Sequence, residues 1–381
     1  MFKIYQRYLA ATFIPPFVMA SAFFVFFLMT FQFFRFTPYI VAKGVDWNSL
    51  LHLLAYMGLM FLPFAMPLAV LLATIYTLNK LSEDSEIVAM RAFGASKERL
   101  FMPFLVLGLL IAGTLFSLNR QVIPFAKREV RNSLIKFASS AMLNRIRPAE
   151  FFADIPGLTI YASSVSEDGR DMSNLFLFMK DKKTGEEKII FSKGGALVGG
   201  KNNIADLKIE LTKGSIVRLG EKTGDLEKIS FDKYTFPAFK KVPGFGSYNK
   251  ASVKSNKDLR KEIKRTEVIY KERLKTGKDI EGKRKDYHVN LLEYWSRFNT
   301  PLVILGCIFL GFGVGIKNGR GKDKNSALLA MMVLIPYYAL FFWGISLAKN
   351  GPLWPSVAVF VPTLFFFVAG YWFYRRMDWV N

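Results

Sequence analysis

The sequence predicts a membrane α-helical protein with six transmembrane helices and an inserted antiparallel β domain. Two observations lead to this fold class. First, the chain is 51% hydrophobic and contains 38 Phe, yet its formal charge is +22. The apolar residues and the charged residues occupy different segments of the chain. Six apolar runs alternate with basic segments. Second, a long insert between the third and fourth runs is made of short β-rich stretches with Gly-containing turns.

Each apolar run has about 20 residues or more, which is enough to cross a hydrocarbon core of roughly 30 Å. The first run is too long for the apolar part of a cleavable signal, so we expect it to remain as a membrane span. Every run contains proline, which permits a kink in a membrane helix. The runs are residues 8–34, 47–79, 100–119, 298–316, 325–348 and 350–374.

Basic residues near the ends of these runs predict the orientation. Lys3 and Arg7 precede the first run, and Arg375 and Arg376 follow the sixth. The short loops between runs two and three and between runs four and five are also basic, and all these segments lie on one side. We therefore expect both termini to be cytoplasmic and the insert to be extracytoplasmic.

The predicted organisation is residues 1–122 for the first three spans, 123–297 for the inserted domain on helical stalks, and 298–381 for the last three spans. Within the insert, the β-rich stretches are 157–165, 174–180, 187–192, 205–219 and 226–236. We expect an open sandwich or a jelly-roll-like sheet. One apolar side of such a sheet would either hold acyl chains or close into an ordinary core. The basic charge of the insert suggests an anionic partner, and solubility alone explains it equally well.

The stalks carry two local helix signals. Ser255 and Asp258 have the spacing of a capping box. Glu293 and Arg297, at i and i+4, can pair near the membrane interface. In the fourth run, Gly311 and Gly315 have the G-x-x-x-G spacing of closely packed membrane helices.

Catalytic chemistry is not expected. The Gly- and Lys-rich stretch "GVGIKNGRGKDK" lacks the spacing of a nucleotide-binding loop. Two histidines and one cysteine, Cys307, make a metal site of His and Cys improbable. The spans hold no pair of ionisable groups arranged for acid–base catalysis. We therefore expect neither a catalytic residue nor a metal or cofactor on this chain, and no nucleic-acid partner.

The charged segment "LSEDSEIVAMRAFGASKERL", residues 81–100, lies between the second and third runs. Read as a helix, it places Glu86, Met90 and Phe93 on one stripe, and Gly94 is suited to end it. Such a helix fits a basic-edged groove on a cytoplasmic protein, although packing on its own bundle is the alternative. We predict a coupling helix at 82–96 with the contact residues Glu83, Glu86, Ile87, Met90, Arg91, Phe93 and Gly94.

This segment resembles the coupling motif of the LptF/LptG lipopolysaccharide-export permeases, the YjgP/YjgQ family. The matching positions are Ser85, Glu86, Ile87, Met90, Ala92, Gly94 and Ser96. The stretch "EYWSRFNTPLVILGCIFLGFGVGI" is similar to the start of the family's fourth span, and the arrangement of spans and insert also matches. The loop after it and the stretch "LLEYWSRF" are closer to LptF than to LptG.

The resemblance implies a permease subunit in the bacterial inner membrane with a periplasmic β-jellyroll. Its implied partners are a second LptF/LptG-type permease, a dimeric cytoplasmic ABC ATPase that holds the ATP and Mg²⁺, a periplasmic jellyroll protein of the LptC or LptA type, and lipopolysaccharide. The family's coupling carboxylate corresponds to Glu86. Its lipid cavity is lined by spans one, two and five, and the substrate contacts expected here are Arg35, Lys43, Phe31 and Phe34.

Two other functions compete with an ATP-driven lipid exporter. A mechanotransmitting ABC subunit would act on a periplasmic partner without carrying a substrate, but such proteins usually have four spans. An intramembrane enzyme is disfavoured because no catalytic constellation is visible in the sequence.

Overall fold

The computed structural model describes residues 4–41, 47–143, 147–155, 158–166, 171–180, 187–198, 208–219, 226–237, 251–276, 280–316, 326–351 and 353–376. The helices in these ranges are α1 (Ile4–Val41), α2 (Trp47–Glu83), α3 (Glu86–Ala92), α4 (Lys97–Arg120), α5 (Val122–Leu143), α6 (Asn256–Thr276), α7 (Ile280–Gly315), α8 (Ser326–Asn350) and α9 (Pro355–Arg376). The strands are β1 (Phe151–Ile155), β2 (Leu158–Val165), β3 (Asp171–Lys180), β4 (Glu187–Val198), β5 (Lys208–Leu219) and β6 (Leu226–Pro237).

Six helices are long and apolar enough to cross a membrane, which confirms the predicted membrane-helical fold with an inserted β domain. These spans are Ile4–Phe34, Trp47–Glu83, Lys97–Arg120, Ile280–Gly315, Met331–Asn350 and Pro355–Arg376. The fourth differs from the prediction at its beginning. Residues before 298, which the sequence assigned to a stalk, and the apolar run that follows form one unbroken helix, α7.

The chain divides into two compact units. The helical unit comprises Met1–Phe31, Ala55–Lys127 and Lys250–Asn381, and the sheet unit comprises Gln32–Leu54 and Arg128–Asn249. The sequence prediction grouped 123–297 into one inserted domain. The structure groups α6 and the first turns of α7 with the helical unit, and side chains of these two helices bond to one another.

Arg297 makes these bonds. Its side chain is only 5% exposed, and its Nε donates to Glu293 Oε1 at 3.2 Å. One terminal nitrogen donates to Asn256 Oδ1 at 3.0 Å, and the other donates to the carbonyl oxygens of Ala251 and Lys254 at 3.3 and 2.8 Å. A buried guanidinium requires such partners. The predicted pair with Glu293 is confirmed, in a buried setting, and it joins the start of α6 to α7.

An aromatic cluster lies in the core of the helical unit where α4, α7 and α9 meet. Phe101 packs against Phe309, Phe312 and Tyr374, with ring centroids 4.8, 5.0 and 4.8 Å away. The contact with Phe312 is edge-on and the other two are tilted, and aromatic pairs at these distances add to the stabilisation that comes from burial alone. The three helices are therefore held together at this level.

The sheet unit contains one six-stranded sheet in which the strands follow sequence order from β1 to β6. All neighbouring strands are antiparallel. The sheet is therefore a meander, and the crossed connections of a jelly roll do not occur among the described strands. The sequence located five of the six strands but missed β1, whose pairing shifts register between Phe152 and Ile155.

The alternation of buried and exposed residues is interrupted in the middle of the long strands. Residues on the two sides of the interruption still face the same core. On β5, Leu211 and Ile216 are both buried although they are five residues apart, which strict alternation does not allow. Lys213 lies between them with φ of 50°, and Asn174 on β3 has φ of 45°. These irregular residues let both halves of the long strands contribute to one core, like a bulge. The buried core residues are Phe152, Ile160, Ala162, Met172, Leu175, Leu177, Ile190, Ile209, Leu211 and Ile216.

Candidate functional site

A seven-residue helix, α3, lies between two left-handed residues in the segment that joins α2 to α4. The first of these, Ser85, has φ of 59° and ends the continuity with α2. The second is Gly94, with φ of 78°. The helix in this segment is therefore shorter than the predicted 82–96, because residues 82 and 83 belong to α2 and Ser85 breaks the helical path.

Gly94 ends α3 in a Schellman motif. Its N–H donates to the carbonyl of Arg91 at 2.8 Å, and the N–H of Ala95 donates to the carbonyl of Met90 at 3.0 Å. The prediction that Gly94 stops the helix is confirmed. Ser96 then caps α4 by accepting a hydrogen bond from the N–H of Arg99 at 3.4 Å. The turn from α3 to α4 is thus defined by local hydrogen bonds.

The predicted stripe of contact residues is divided between the protein's own core and solvent. Ile87 is buried, and Met90 is half-buried against the same core. Phe93 is 92% exposed, and Val88, which sequence reasoning missed, is 56% exposed. The exposed apolar face of α3 therefore consists of Val88 and Phe93, with the small exposed side chains of Ala89 and Ala92 between them. We call these four residues the α3 face.

Glu86, at the start of α3, accepts a hydrogen bond from Tyr8 on α1. The Tyr8 hydroxyl lies 2.9 Å from Glu86 Oε1. No local pattern predicts this contact, because the two residues are 78 positions apart. It connects the carboxylate of the short helix to the first membrane helix.

A cavity of about 690 Å³ lies between α1 and α2. Its lining is mainly apolar, and the polar groups in it are Thr12, Tyr76 and Lys80. Phe23 and Phe24, from the Phe-rich first span, contribute the aromatic part of the wall. A mainly apolar cavity with a few polar groups is the usual form of a small-molecule or lipid site.

Farther along α1, the Phe-rich stretch is strongly exposed. Phe31 and Phe34 are 65% and 70% exposed. The Phe27 and Phe31 rings meet edge-on at 4.9 Å. Arg35 belongs to α1, but its side chain and the whole of Lys43 lie outside the described residues. The predicted basic rim is therefore not described, while its aromatic neighbours are.

Gly311 and Gly315 lie where α7 passes α2. A Cβ added at Gly311 would be 2.9 Å from Thr74 Cβ, and one added at Gly315 would be 3.1 Å from Leu78 Cβ. The two helices approach so closely that side chains at these glycines would have to displace α2. The surface here is an internal contact between α2 and α7 of one chain.

The comparisons with known proteins add a family. A sequence model of the family described as "Lipopolysaccharide export system permease LptF/LptG" matches residues 7–376, almost the whole chain. The match does not separate the F-type from the G-type proteins. No curated protein matches the chain. With its six membrane helices and inserted sheet, the chain belongs to the LptF/LptG family of lipopolysaccharide export permeases.

Proposed function

We propose that this protein is the permease subunit of an ATP-driven exporter that extracts lipopolysaccharide from the inner membrane and passes it to a periplasmic bridge. The α3 face is the observation that supports transport driven by ATP. Two large apolar side chains, Val88 and Phe93, stand exposed on a short helix between two membrane spans. Exposed apolar patches of this kind mark interaction sites.

A dimeric cytoplasmic ATPase is the partner that we assign to the α3 face. Glu83 and Asp84 are exposed beside it, and Glu86 begins the helix. A groove with a basic edge would match this mixture of carboxylates and apolar side chains. In this arrangement ATP and Mg²⁺ bind the ATPase, and this chain transmits motion to its own spans. Both termini and α3 then lie in the cytoplasm, and the six-stranded sheet lies in the periplasm.

The cavity between α1 and α2 supports lipid transport over the mechanotransmitting alternative. A subunit that only pushes a partner has no use for a cavity of about 690 Å³ with an apolar wall. We infer that a second LptF/LptG-type permease completes the lipid path, and that a periplasmic jellyroll protein accepts the lipid from the sheet unit.

Matched substitutions on two helices test the ATPase contact. Val88 on α3 and Val268 on α6 are both 56% exposed valines. Val88→Asp is expected to abolish co-purification of the ATPase, because docking would desolvate a new carboxylate. Val268→Asp is expected to retain the ATPase, since α6 faces the periplasm in the proposed topology.

Lipopolysaccharide-stimulated ATP hydrolysis in proteoliposomes gives the functional measurement. The Val88→Asp protein should show no stimulation, while the Val268→Asp protein should behave as wild type. Full stimulation with Val88→Asp would refute the docking role of α3. If binding of the ATPase to this chain stimulates ATP hydrolysis without any transfer of lipid, the mechanotransmitting function is favoured instead.

The basic rim at the end of the first span supplies a further test. An arginine can hold a phosphate through two parallel hydrogen bonds, whereas a lysine acts as a point charge. We expect Arg35→Glu to reduce lipopolysaccharide cross-linking and transport, and Arg35→Lys to be intermediate. Lys43 should matter less. Photo-cross-linking from positions 31, 35 and 43 measures the contacts, with Leu364, 66% exposed on α9, as the control position. Adducts at Leu364 without any at 35 would remove the rim from the lipid path.

A further inference from the structure

The sheet unit carries a second cavity, of about 640 Å³, on the face of the sheet opposite its core. Tyr161, Phe176 and Phe191 lie in one row across β2, β3 and β4 and line it. Phe191 is 49% exposed, and its ring centroid is 5.3 Å from that of Phe176. The row continues in register as Ser215 and Ser230 on β5 and β6. The cavity therefore has an aromatic floor that ends in hydroxyl groups.

Three exposed lysines, Lys193, Lys213 and Lys228, line the same cavity. No Asp or Glu belongs to the described residues of its lining. Three like charges around one cavity repel each other, and a bound anion relieves that repulsion. The lining is thus suited to a ligand that carries negative charge and presents an apolar face to the rings.

The backbone of this cavity is strained. Lys213 and Asn174, which both line it, have φ of 50° and 45°. A left-handed conformation is unfavourable for lysine, whereas glycine adopts it freely and asparagine tolerates it. The chain therefore has a lysine where a glycine would fold more easily. Strain of this kind points to a function of the side chain.

We propose that this cavity binds a phosphorylated saccharide, namely the phosphate-bearing sugar headgroup of lipopolysaccharide. Pyranose C–H groups pack on the electron-rich faces of aromatic rings. The ammonium groups of the three lysines hold the phosphates, and Asn174, Ser215 and Ser230 meet sugar hydroxyls. An acyl chain would leave these polar groups without partners. The class of ligand follows from the cavity, and its source in lipopolysaccharide rests on the proposed function.

Lys213→Gly is the decisive variant, because binding and stability should respond differently. The substitution removes one charge from the cavity and also removes the left-handed strain. Isothermal titration of the full-length protein in detergent, with deacylated and still phosphorylated lipopolysaccharide as the probe, should show an affinity about tenfold weaker. The thermal midpoint should be unchanged or higher. A purely structural role for Lys213 predicts unchanged affinity, and that result would overturn the proposal.

Lys233→Gln is the matched charge control. Lys233 lies on the same sheet, pairs with Glu210 at 2.9 Å and does not line the cavity. Its substitution should leave the affinity unchanged, whereas Lys193→Gln and Lys228→Gln should each weaken binding about tenfold. If Lys233→Gln weakens binding as much as the cavity variants do, general attraction of anions explains the result, and the proposal fails.

Competing ligands identify the chemistry and its source. The dephosphorylated saccharide should bind at least tenfold more weakly than the phosphorylated probe. Inorganic phosphate and glycerophosphoglycerol, the headgroup of an anionic phospholipid, should not displace the probe at equal concentration. Displacement by either one would show a general phosphate or phospholipid-headgroup site and refute recognition of a saccharide.

The titration needs neither ATP nor the ATPase, so it is separate from the test of the proposed function. If the protein binds the saccharide but does not export lipopolysaccharide, the exporter function is refuted and the proposal for the cavity stands. Intact export with no saccharide binding would refute the cavity assignment alone.

Discussion

At the scale of single residues, Glu86 and Tyr8 form the contact that the sequence could not predict. The carboxylate of α3 accepts a hydrogen bond from the first membrane helix at 2.9 Å. A carboxylate oxygen can accept more than one hydrogen bond, so in the proposed docking Glu86 would keep Tyr8 while it binds a cation of the ATPase. Tyr8 would then hold the carboxylate in position, and α1 would be tied to the docked helix.

We expect Glu86→Ala to weaken ATPase binding by about 1–3 kcal/mol while the permease still inserts into the membrane. Tyr8→Phe should weaken binding only severalfold, because the carboxylate remains but loses its orientation. In the Glu86→Ala background, Tyr8→Phe should have no further effect. Titration of the ATPase against the four proteins in nanodiscs gives this double-mutant cycle. Additive losses would mean that Tyr8 acts independently of Glu86.

Arg297 gives a second prediction at this scale. Glu293 lies 3.2 Å from the guanidinium and 3.8 Å from Lys127 Nζ, so it remains partly compensated if Arg297 is removed. Arg297→Met nevertheless leaves the buried oxygens of Asn256 and Ala251 and the partly buried carbonyl of Lys254 without their donor. We expect a loss of about 3 kcal/mol in unfolding free energy.

Thermal denaturation in detergent measures this loss, and Arg260 provides the control. Arg260 is exposed and contacts Tyr294 through two hydrogen bonds to its hydroxyl. Arg260→Met should cost less than about 1 kcal/mol, because water replaces these partners. Equal losses in the two variants would contradict the role assigned to the buried network.

At the scale of elements, α3 owes its length to the left-handed residues at its two ends. Ser85 separates it from α2, and Gly94 closes it with the Schellman hydrogen bonds. Without these breaks, the apolar and charged pattern of 82–96 would continue as one helix, as the sequence suggested. In the short helix that results, Ile87 is buried in the core, and Val88 and Phe93 are exposed.

Gly94→Ala tests this element. A Cβ at Gly94 would have nothing within 4 Å, so any cost comes from its φ of 78°. We expect a loss of about 1–2 kcal/mol in stability and weaker ATPase binding.

Gly113 also has nothing within 4 Å but does not have a left-handed backbone. Gly113→Ala should therefore stabilise α4 by up to about 1 kcal/mol. A loss with Gly113→Ala equal to that with Gly94→Ala would argue against backbone strain as the cause.

At the scale of the whole molecule, the two units have different kinds of surface. The helical unit exposes large apolar side chains along its spans, such as Phe26 at 72% and Phe365 at 70%, as expected where lipid is the solvent. The sheet unit has a hydrophobic core on one face of the sheet and a lysine-lined aromatic cavity on the other. This division matches a protein that lies partly in a membrane and partly in water.

The orientation of the chain can be tested with two cysteines. The native Cys307 is fully buried and should not react with a maleimide. We expect Val268→Cys to react with a membrane-impermeant maleimide in cells with a permeabilised outer membrane, because α6 is periplasmic in the proposed topology. Ala89→Cys should react only in inverted membrane vesicles. Reaction of both positions from the same side would contradict the orientation.

The sequence by itself determined the six spans, the inserted β-rich segment, the Gly94 stop and the pairing of Glu293 with Arg297. These features depend on length, apolar composition and spacings of three to five residues, so a local pattern is sufficient to predict them. The sequence predicted an open sandwich or a jelly-roll-like sheet, whereas the described strands form a meander. Alternation shows which face a residue occupies but not which strand is its neighbour.

Only the tertiary structure decided the features that join distant parts of the chain. It brought Tyr8 to Glu86, placed α6 with the helical unit, and combined three strands into the aromatic floor beside Lys193, Lys213 and Lys228. It also divided the predicted stripe, because Ile87 and Met90 found apolar neighbours in their own bundle while Phe93 did not. The physical reason is the same in each case: a contact between residues far apart in sequence depends on how the elements pack, and no spacing within one element contains that information.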